Sequence, residues 1–482
     1  MKKITLGLLL LFLLAVFSCP LSAKISLPGI FTDNIVLQQR AEAPIWGKAS
    51  PGKKVTLQTS WDQRLYQVVA AKDSTWRVEV KTPDAGGPYE ITISDGKKLT
   101  LRNVLIGEVW ICSGQSNMEM PLAGWGKVLN YEQEIAAANY PQIRLLYVER
   151  ATAVQPKEEM ETRGGWQACS PATVAEFSSV AYFFGRELNK NLNIPIGLIN
   201  TSWGGTIAEA WTSGKSLEQM PDFATAVQTL AEPATEKEAK NPNRPTVLYN
   251  AMIKPIIPYA IQGAIWYQGE ANAGRAYQYR ELFPLMIRDW RKQWKTDFSF
   301  YFVQLANYME RKTEPQESNW AELREAQLQT LSLEKTGMAV TIDIGEAKDI
   351  HPKNKQEVGR RLALAALAQT YGKAIPYSGP IYEAYRIEGN RIRIQFKQTS
   401  GALQAKGGSE LQGFAIAGPD HQFHWAKATI DGDEVLVSHP DVEYPLAVRY
   451  AWGDNPLCNL YNAAGLPASP FRTDDWRNAD DK

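Results

Sequence analysis

Val109-Trp110-Ile111-Cys112-Ser113-Gly114-Gln115-Ser116-Asn117 is the stretch on which the reading of this chain turns. Val109–Cys112 is a short apolar run, the pattern of a buried strand. The run gives way to a turn that carries a serine. A serine where a strand passes into a helix exposes its hydroxyl beside backbone N–H groups, an arrangement that suits a nucleophile. Ser116 is therefore the first candidate for chemistry.

The same layout recurs downstream. Ile196-Gly197-Leu198-Ile199-Asn200 reads as a strand and leads into Thr201-Ser202-Trp203-Gly204-Gly205-Thr206. Paired glycines after a strand let backbone N–H groups approach a ligand closely. Gly263-Ala264-Ile265 leads into Trp266-Tyr267-Gln268-Gly269-Glu270. A glutamine at a strand end can donate an amide hydrogen bond to a developing oxyanion. A serine nucleophile needs a base, most often histidine. The chain has four histidines, at 351, 421, 424 and 439. His351 lies on a loop ahead of a helical pattern that begins near Gln356, with Asp349 just before it. His421, His424 and His439 read as surface residues of a β segment.

Residues 105–375 alternate apolar strands with helical stretches. Strands are predicted at Val109–Cys112, Ile143–Val148, Ile196–Asn200, Gly263–Tyr267, Phe298–Leu305 and Met338–Asp343. Helices are predicted over Ser179–Asn191, Leu282–Trp294 and Leu323–Leu333. This alternation predicts an α/β fold, a parallel sheet with helices on both faces. Such sheets bind ligands at the carboxyl ends of their strands. Ser116, Gly205, Gln268 and His351 all follow predicted strands, so the pattern gathers them at one edge. Residues 24–104 and 376–482 carry short β runs with turn signals such as Asp95-Gly96 and Asp431-Gly432-Asp433, and read as β-sandwich segments on either side. The length itself predicts more than one domain.

Taken in order, these segments resemble the sialate O-acetylesterase family of carbohydrate esterases, within the SGNH hydrolase superfamily. The resemblance runs from Leu27-Pro28 and Leu37-Gln38-Gln39 through Trp110–Met118, Leu248–Ile253 and Trp266–Glu270. It ends with Asp349-Ile350-His351-Pro352 and Asn459–Pro467. It implies a flavodoxin-like catalytic sheet and an O-acetylated sugar, a sialic acid first, as substrate. It also implies Ser116 as nucleophile and His351 as general base. The oxyanion hole would be built from the Ser116 N–H, the Gly205 N–H (Gly204 as the alternative) and the Gln268 side chain. Gln115, Asn117, Trp203 and Glu270 are assigned to substrate contact. One spacing departs from the superfamily pattern Asp-x-x-His: Asp349 precedes His351 by only two residues. Asp349 is the candidate to orient the imidazole. A Ser–His dyad is the alternative, and Asp343 and Glu270 are the next carboxylates to examine.

The N-terminus reads as a secretory signal, residues 1–23. Lys2-Lys3 precede an apolar run from Leu6 to Phe17, and Ser22-Ala23 offers a cleavage site. A lipidated Cys19 is the alternative. The expected location is secreted or periplasmic, with no membrane span. Cys112, Cys169 and Cys458 then allow at most one internal disulfide. Cys112 is expected in the core, where it is a weak rival nucleophile. No Cys/His cluster suggests a metal, and no cofactor is expected. The 52 basic and 52 acidic residues balance without a basic stripe, which argues against a nucleic-acid partner. Arg324 reads as a solvated residue at a helix start, with a sugar carboxylate as its other possible partner. Two further readings of function remain: an acetylesterase of xylan or another plant polysaccharide, and a non-catalytic carbohydrate-binding protein.

Overall fold

The computed structural model describes residues 25–232 and 235–476. The signal-peptide reading of residues 1–23, and Cys19 with it, lie outside the described residues. Among those described, no helix is long and apolar enough to cross a membrane.

The strand Lys98–Gly114 is the axis of the molecule. Its first part pairs antiparallel with Gly86–Ser94, and its middle pairs in parallel with Val36–Gln38. Its last part pairs in parallel with Ile196–Ser202 on one side and Gly263–Tyr267 on the other. Burial changes along its length. Residues up to Asn103 are mostly exposed or half-buried, and every residue from Val104 to Gly114 is buried. That switch marks where the strand leaves a sheet with one wet face and enters one covered on both faces.

The central sheet runs in the order Thr336–Ala339, Ser299–Val303, Gly263–Tyr267, Lys98–Gly114, Ile196–Ser202, Tyr140–Tyr147, Gln167–Cys169. All neighbours are parallel except the last, an antiparallel edge strand that the sequence pattern did not reveal. Side chains alternate between the faces as a pleated strand requires. On one face Trp110 packs against Phe184 of the helix Ser179–Leu192, and Tyr301 reaches Thr370 beyond the helix Lys355–Gln369. On the other, Phe300, Phe302 and Trp266 pack against Phe283 and Trp290 of the helix Ala276–Trp294. That helix begins at Ala276, ahead of its expected start at Leu282, and accommodates Pro284.

The N-terminal β segment is anchored to the central sheet through Gln39–Glu108 and Trp166–Ile30 contacts. Two antiparallel sheets, Ile381–Glu388 with its partners and Phe414–Ala417 with its partners, make up most of the C-terminal segment. They attach through Gln304–Ser469, Arg472–Glu325 and Tyr461–Asp343. Cys112, Cys169 and Cys458 are all free thiols. Burial holds the Cys112 thiol well above the ordinary range, so it is poorly placed to act as a thiolate.

Register fixes the site. Gly114 pairs with Ser202 on one side and with Tyr267 on the other, so three strands end on the same rung. Gly114 has φ +142°, and a Cβ there would lie 2.1 Å from the Tyr267 carbonyl oxygen. Gly114→Ala is therefore expected to part the central strands. A loss of about 2–4 kcal/mol in urea unfolding, with loss of activity, is the expected outcome.

Candidate active site

Three loops leave that rung together. The Gln115 N–H donates to the Tyr267 carbonyl at 3.0 Å, and the Trp203 N–H donates to the Gly114 carbonyl at 3.0 Å. These two bonds turn the chain so that Ser116 opens a one-turn helix, Ser116–Glu119, at the sheet rim. The Gly204 backbone lies directly against it: a Cβ on Gly204 would come within 3.2 Å of the Ser116 Cβ.

His351 arrives from the edge of the sheet, on the loop after Thr336–Ala339. Three strand spacings, about 14 Å, separate that strand from the one that carries the serine. The loop nevertheless brings His351 Nε2 to 3.0 Å from Ser116 Oγ. Asp349 Oδ1 lies 3.3 Å from His351 Nδ1 and accepts the His351 backbone N–H at 2.9 Å. The short Asp-x-His spacing thus lets one carboxylate oxygen hold both the ring and the backbone of the histidine. Asp343, the other candidate, is committed to Arg361 at 2.6 and 2.8 Å and to the Tyr461 hydroxyl.

Burial and the Lys355 ammonium hold the His351 imidazole below its ordinary pKa, and Asp349 pushes it back up. The net direction favours the neutral ring, the form that can accept a proton.

The remaining sequence candidates divide. The Gly205 N–H, on a residue with φ +75°, donates to no acceptor among the described residues. The Gly204 N–H donates to Glu119 Oε2 at 2.7 Å, which excludes it as the free donor. The oxyanion reading of Gln268 is corrected by its surroundings. Its side chain is fully buried. Its amide donates to the Thr206 carbonyl at 3.2 Å and to Asn272 Oδ1 at 2.6 Å, and its oxygen accepts from the Tyr279 hydroxyl. Asn272 is itself fixed, since its oxygen also accepts the Ala208 N–H and its nitrogen donates to Glu209. Both Gln268 amide hydrogens are spent inside the protein.

Gln115, Asn117 and Glu270, assigned to substrate contact, likewise face inward. Gln115 Oε1 accepts the N–H groups of Gly269 and Ala271. Asn117 is 1% exposed and donates to Glu270 Oε1 at 2.5 Å and to the Ile350 carbonyl at 3.0 Å. Trp203 alone of the four stays on the rim, with the Arg150 guanidinium 5.7 Å from its ring centre and Arg150 paired with Glu119. Arg324 is buried rather than solvated. It donates to the carbonyls of Leu305, Ala306, Gly453 and Asp454, and burial lowers its pKa to about 9.

Two residues at the site escaped the sequence reading. Trp125 is 56% exposed and its ring meets that of His351 edge to face, with centroids 5.2 Å apart. Its signal was an aromatic residue flanked by glycines, Gly124-Trp125-Gly126. Lys355 is fully buried and donates to Asn117 Oδ1. It occupies the apolar stripe of its helix, in step with Val358 and Leu362, a place where a lysine is out of pattern. Among the described residues no group of three or more His, Cys, Asp or Glu side chains is gathered as a metal site.

A hydroxyl 3.0 Å from an imidazole, with a carboxylate 3.3 Å from the other ring nitrogen, at the carboxyl rim of a parallel sheet is an arrangement that suits an ester hydrolase. Comparison with known proteins agrees. A family model described as carbohydrate esterase, sialic acid-specific acetylesterase matches residues 106–368, and the chain belongs to this family. The human sialate O-acetylesterase is 30% identical to it, across 92% of this chain and 91% of the human protein. The mouse sialate O-acetylesterase is 30% identical across 92% and 93%. A solved structure titled as a novel carbohydrate acetylesterase from Xanthomonas citri is 42% identical. It superposes with a TM-score of 0.86, covering 94% of this chain and all of that one.

If Gln268 braces the site rather than donating to the oxyanion, Gln268→Ala strands the Thr206 carbonyl, Asn272 and Tyr279. It is then expected to cost about 1–3 kcal/mol in denaturant unfolding. An oxyanion donor would instead show a large fall in kcat with stability unchanged.

Proposed function

We propose that this protein is a serine-dependent O-acetylesterase of acetylated sugars, with O-acetylated sialic acids as its first substrate class. The observation that carries the reading is the 3.0 Å contact between His351 Nε2 and Ser116 Oγ. His351 takes the Ser116 proton as Oγ bonds to the acetyl carbonyl carbon. The oxyanion forms beside the Ser116 and Gly205 N–H groups. The C–O bond to the sugar then breaks, and His351 returns the proton to the departing sugar oxygen. Water, deprotonated by His351, attacks the acetyl carbon; the bond from that carbon to Ser116 Oγ breaks, His351 returns the proton to Oγ, and acetate leaves. Asp349 holds the ring and stabilises the imidazolium.

The rim supports a sugar. Trp125 and Trp203 offer indole faces on which a pyranose can lie. Arg150 adds a cation that suits a sugar carboxylate, with part of its charge offset by Glu119. The relatives named for sialate esters support the same class, and the apolar N-terminal run supports export.

Ser116→Ala is expected to abolish acetate release from O-acetylated sialic acid, and a fluorophosphonate is expected to label Ser116. A Ser116→Ala protein that still turned over would remove the serine from the mechanism. Acetylated xylan, offered in parallel, decides between the sugars; faster release from xylan would displace the sialate assignment. Trp125→Ala is expected to raise KM by about 2–10-fold with kcat little changed. The acid limb of kcat/KM should lie below the ordinary imidazole value. Asp349→Asn removes the group that raises the His351 pKa, so it should carry that limb to still lower pH.

A further inference from the structure

The nucleophile and the base come from loops that start three strands apart, and beneath the hydroxyl–imidazole contact the Asn117 side chain bridges them. Asn117 directly follows Ser116. Its Nδ2 donates to the carbonyl of Ile350, the residue directly before His351, at 3.0 Å. An amide can face either way, and here two buried charged groups fix it. Lys355 Nζ donates to Oδ1 on one side. On the other, Glu270 Oε1 accepts from Nδ2 at 2.5 Å. Lys355 also lies over the Tyr267 ring, 5.1 Å from its centre. The second Glu270 oxygen is buried and, among the described residues, meets no hydrogen-bond partner. A buried ammonium and a buried carboxylate are costly to maintain, and each persists where the other is near.

We propose that Asn117 and the buried Lys355 that holds it are positioning residues, tying the His351 loop to the nucleophile turn and setting the imidazole–hydroxyl contact. The inference rests on the serine–histidine reading above. It gives Asn117 a mechanical task in place of substrate contact, and it gives Glu270 the task of keeping Lys355 charged.

The electrostatics of the pocket agree. Burial lowers the Lys355 pKa to about 7, against the pull of Glu270, Asp349 and Glu346. Burial raises that of Glu270. The groups that face His351 are the Ser116 hydroxyl, the Trp125 ring, Asp349 on its own loop and Lys355 on the helix that follows. Lys355 is the cation among them and lowers the His351 pKa. On the acid side of neutrality it is protonated, so its charge is present where the acid limb is read.

Lys355→Met tests both parts. Misplacement of a catalytic group by about 1 Å can cost roughly 100-fold in rate. The expected result is a fall in kcat of about 10–100-fold with KM within a few-fold, and an acid limb of kcat/KM moved to higher pH. A Lys355 that merely filled space would leave the limb where it is. An unmoved limb, or an unchanged kcat, overturns the proposal. Should Lys355→Met fail to fold, the double variant Lys355→Met/Glu270→Gln removes both charges and keeps an acceptor for Asn117. The same upward movement of its limb is expected, and a limb at the wild-type position overturns the proposal. Asn117→Asp keeps the acceptor for Lys355 and loses the donor to Ile350. It is expected to slow fluorophosphonate labelling of Ser116 by at least 10-fold, on the order of the same misplacement cost. Labelling at the wild-type rate overturns the tie. Wild-type protein that takes no label at Ser116 would instead remove the serine reading itself, which separates the two failures.

Discussion

The common rung of Gly114, Ser202 and Tyr267 is the constraint on which the site depends. Three parallel strands end together, so three loops leave the sheet at one height and in one direction. A slip of one residue between any pair would reverse the faces and scatter the loops. The sheet is pinned against such a slip by large side chains that alternate between its faces, Trp110 and Tyr301 on one and Trp266, Phe300 and Phe302 on the other. Side-chain packing deep in the core thereby sets the geometry of a surface turn. The absence of a Cβ at Gly114 then lets the neighbouring strand close on it.

Around that rung the protein keeps several polar side chains out of water. Gln268, Gln115 and Asn117 are fully or nearly fully buried, and each makes at least one hydrogen bond with the backbone of a loop it supports. Loops without regular structure must find partners for their own N–H and C=O groups. Here side-chain amides supply them. The outcome is a second layer of contacts beneath the hydroxyl–imidazole pair, in which Gln115 steadies residues 269–271, Gln268 steadies residue 206, and Asn117 steadies residue 350. The rim is left to Trp125, Trp203 and Arg150.

Much of this was legible in the sequence. Strand ends announce themselves by an apolar run that stops at a turn, and Ser116, Gly205 and Gln268 each follow one. A chain with four histidines leaves few choices for a base, and only His351 follows a strand of the α/β region. Side-chain direction was not legible. A glutamine at a strand end can turn outward or inward, and Gln268 turns inward because Asn272 and Tyr279, four and eleven residues on, wait there. Arg324 was misread for the same reason. Its partners are carbonyls at 305–306 and 453–454, one pair of them far along the chain. The edge strand Gln167–Cys169 is too short to carry a periodicity.

Lys355 lies between these cases. Its position on the apolar stripe is visible in the sequence, but its meaning is not, because a lysine at a helix start is ordinarily solvated. Only its contact with Asn117 shows why a charge is kept there. A neutral residue of the same size would pack as well beside Tyr267, and replacing a buried ion pair with apolar groups is often neutral or stabilising. Stability alone therefore gives no reason for two buried charges, Lys355 and Glu270, that meet only through the Asn117 amide between them. What the pair supplies is direction: it fixes which end of the Asn117 amide faces the Ile350 carbonyl, and so where the loop before His351 comes to rest. A fold indifferent to that loop would have no use for two buried charges at this place.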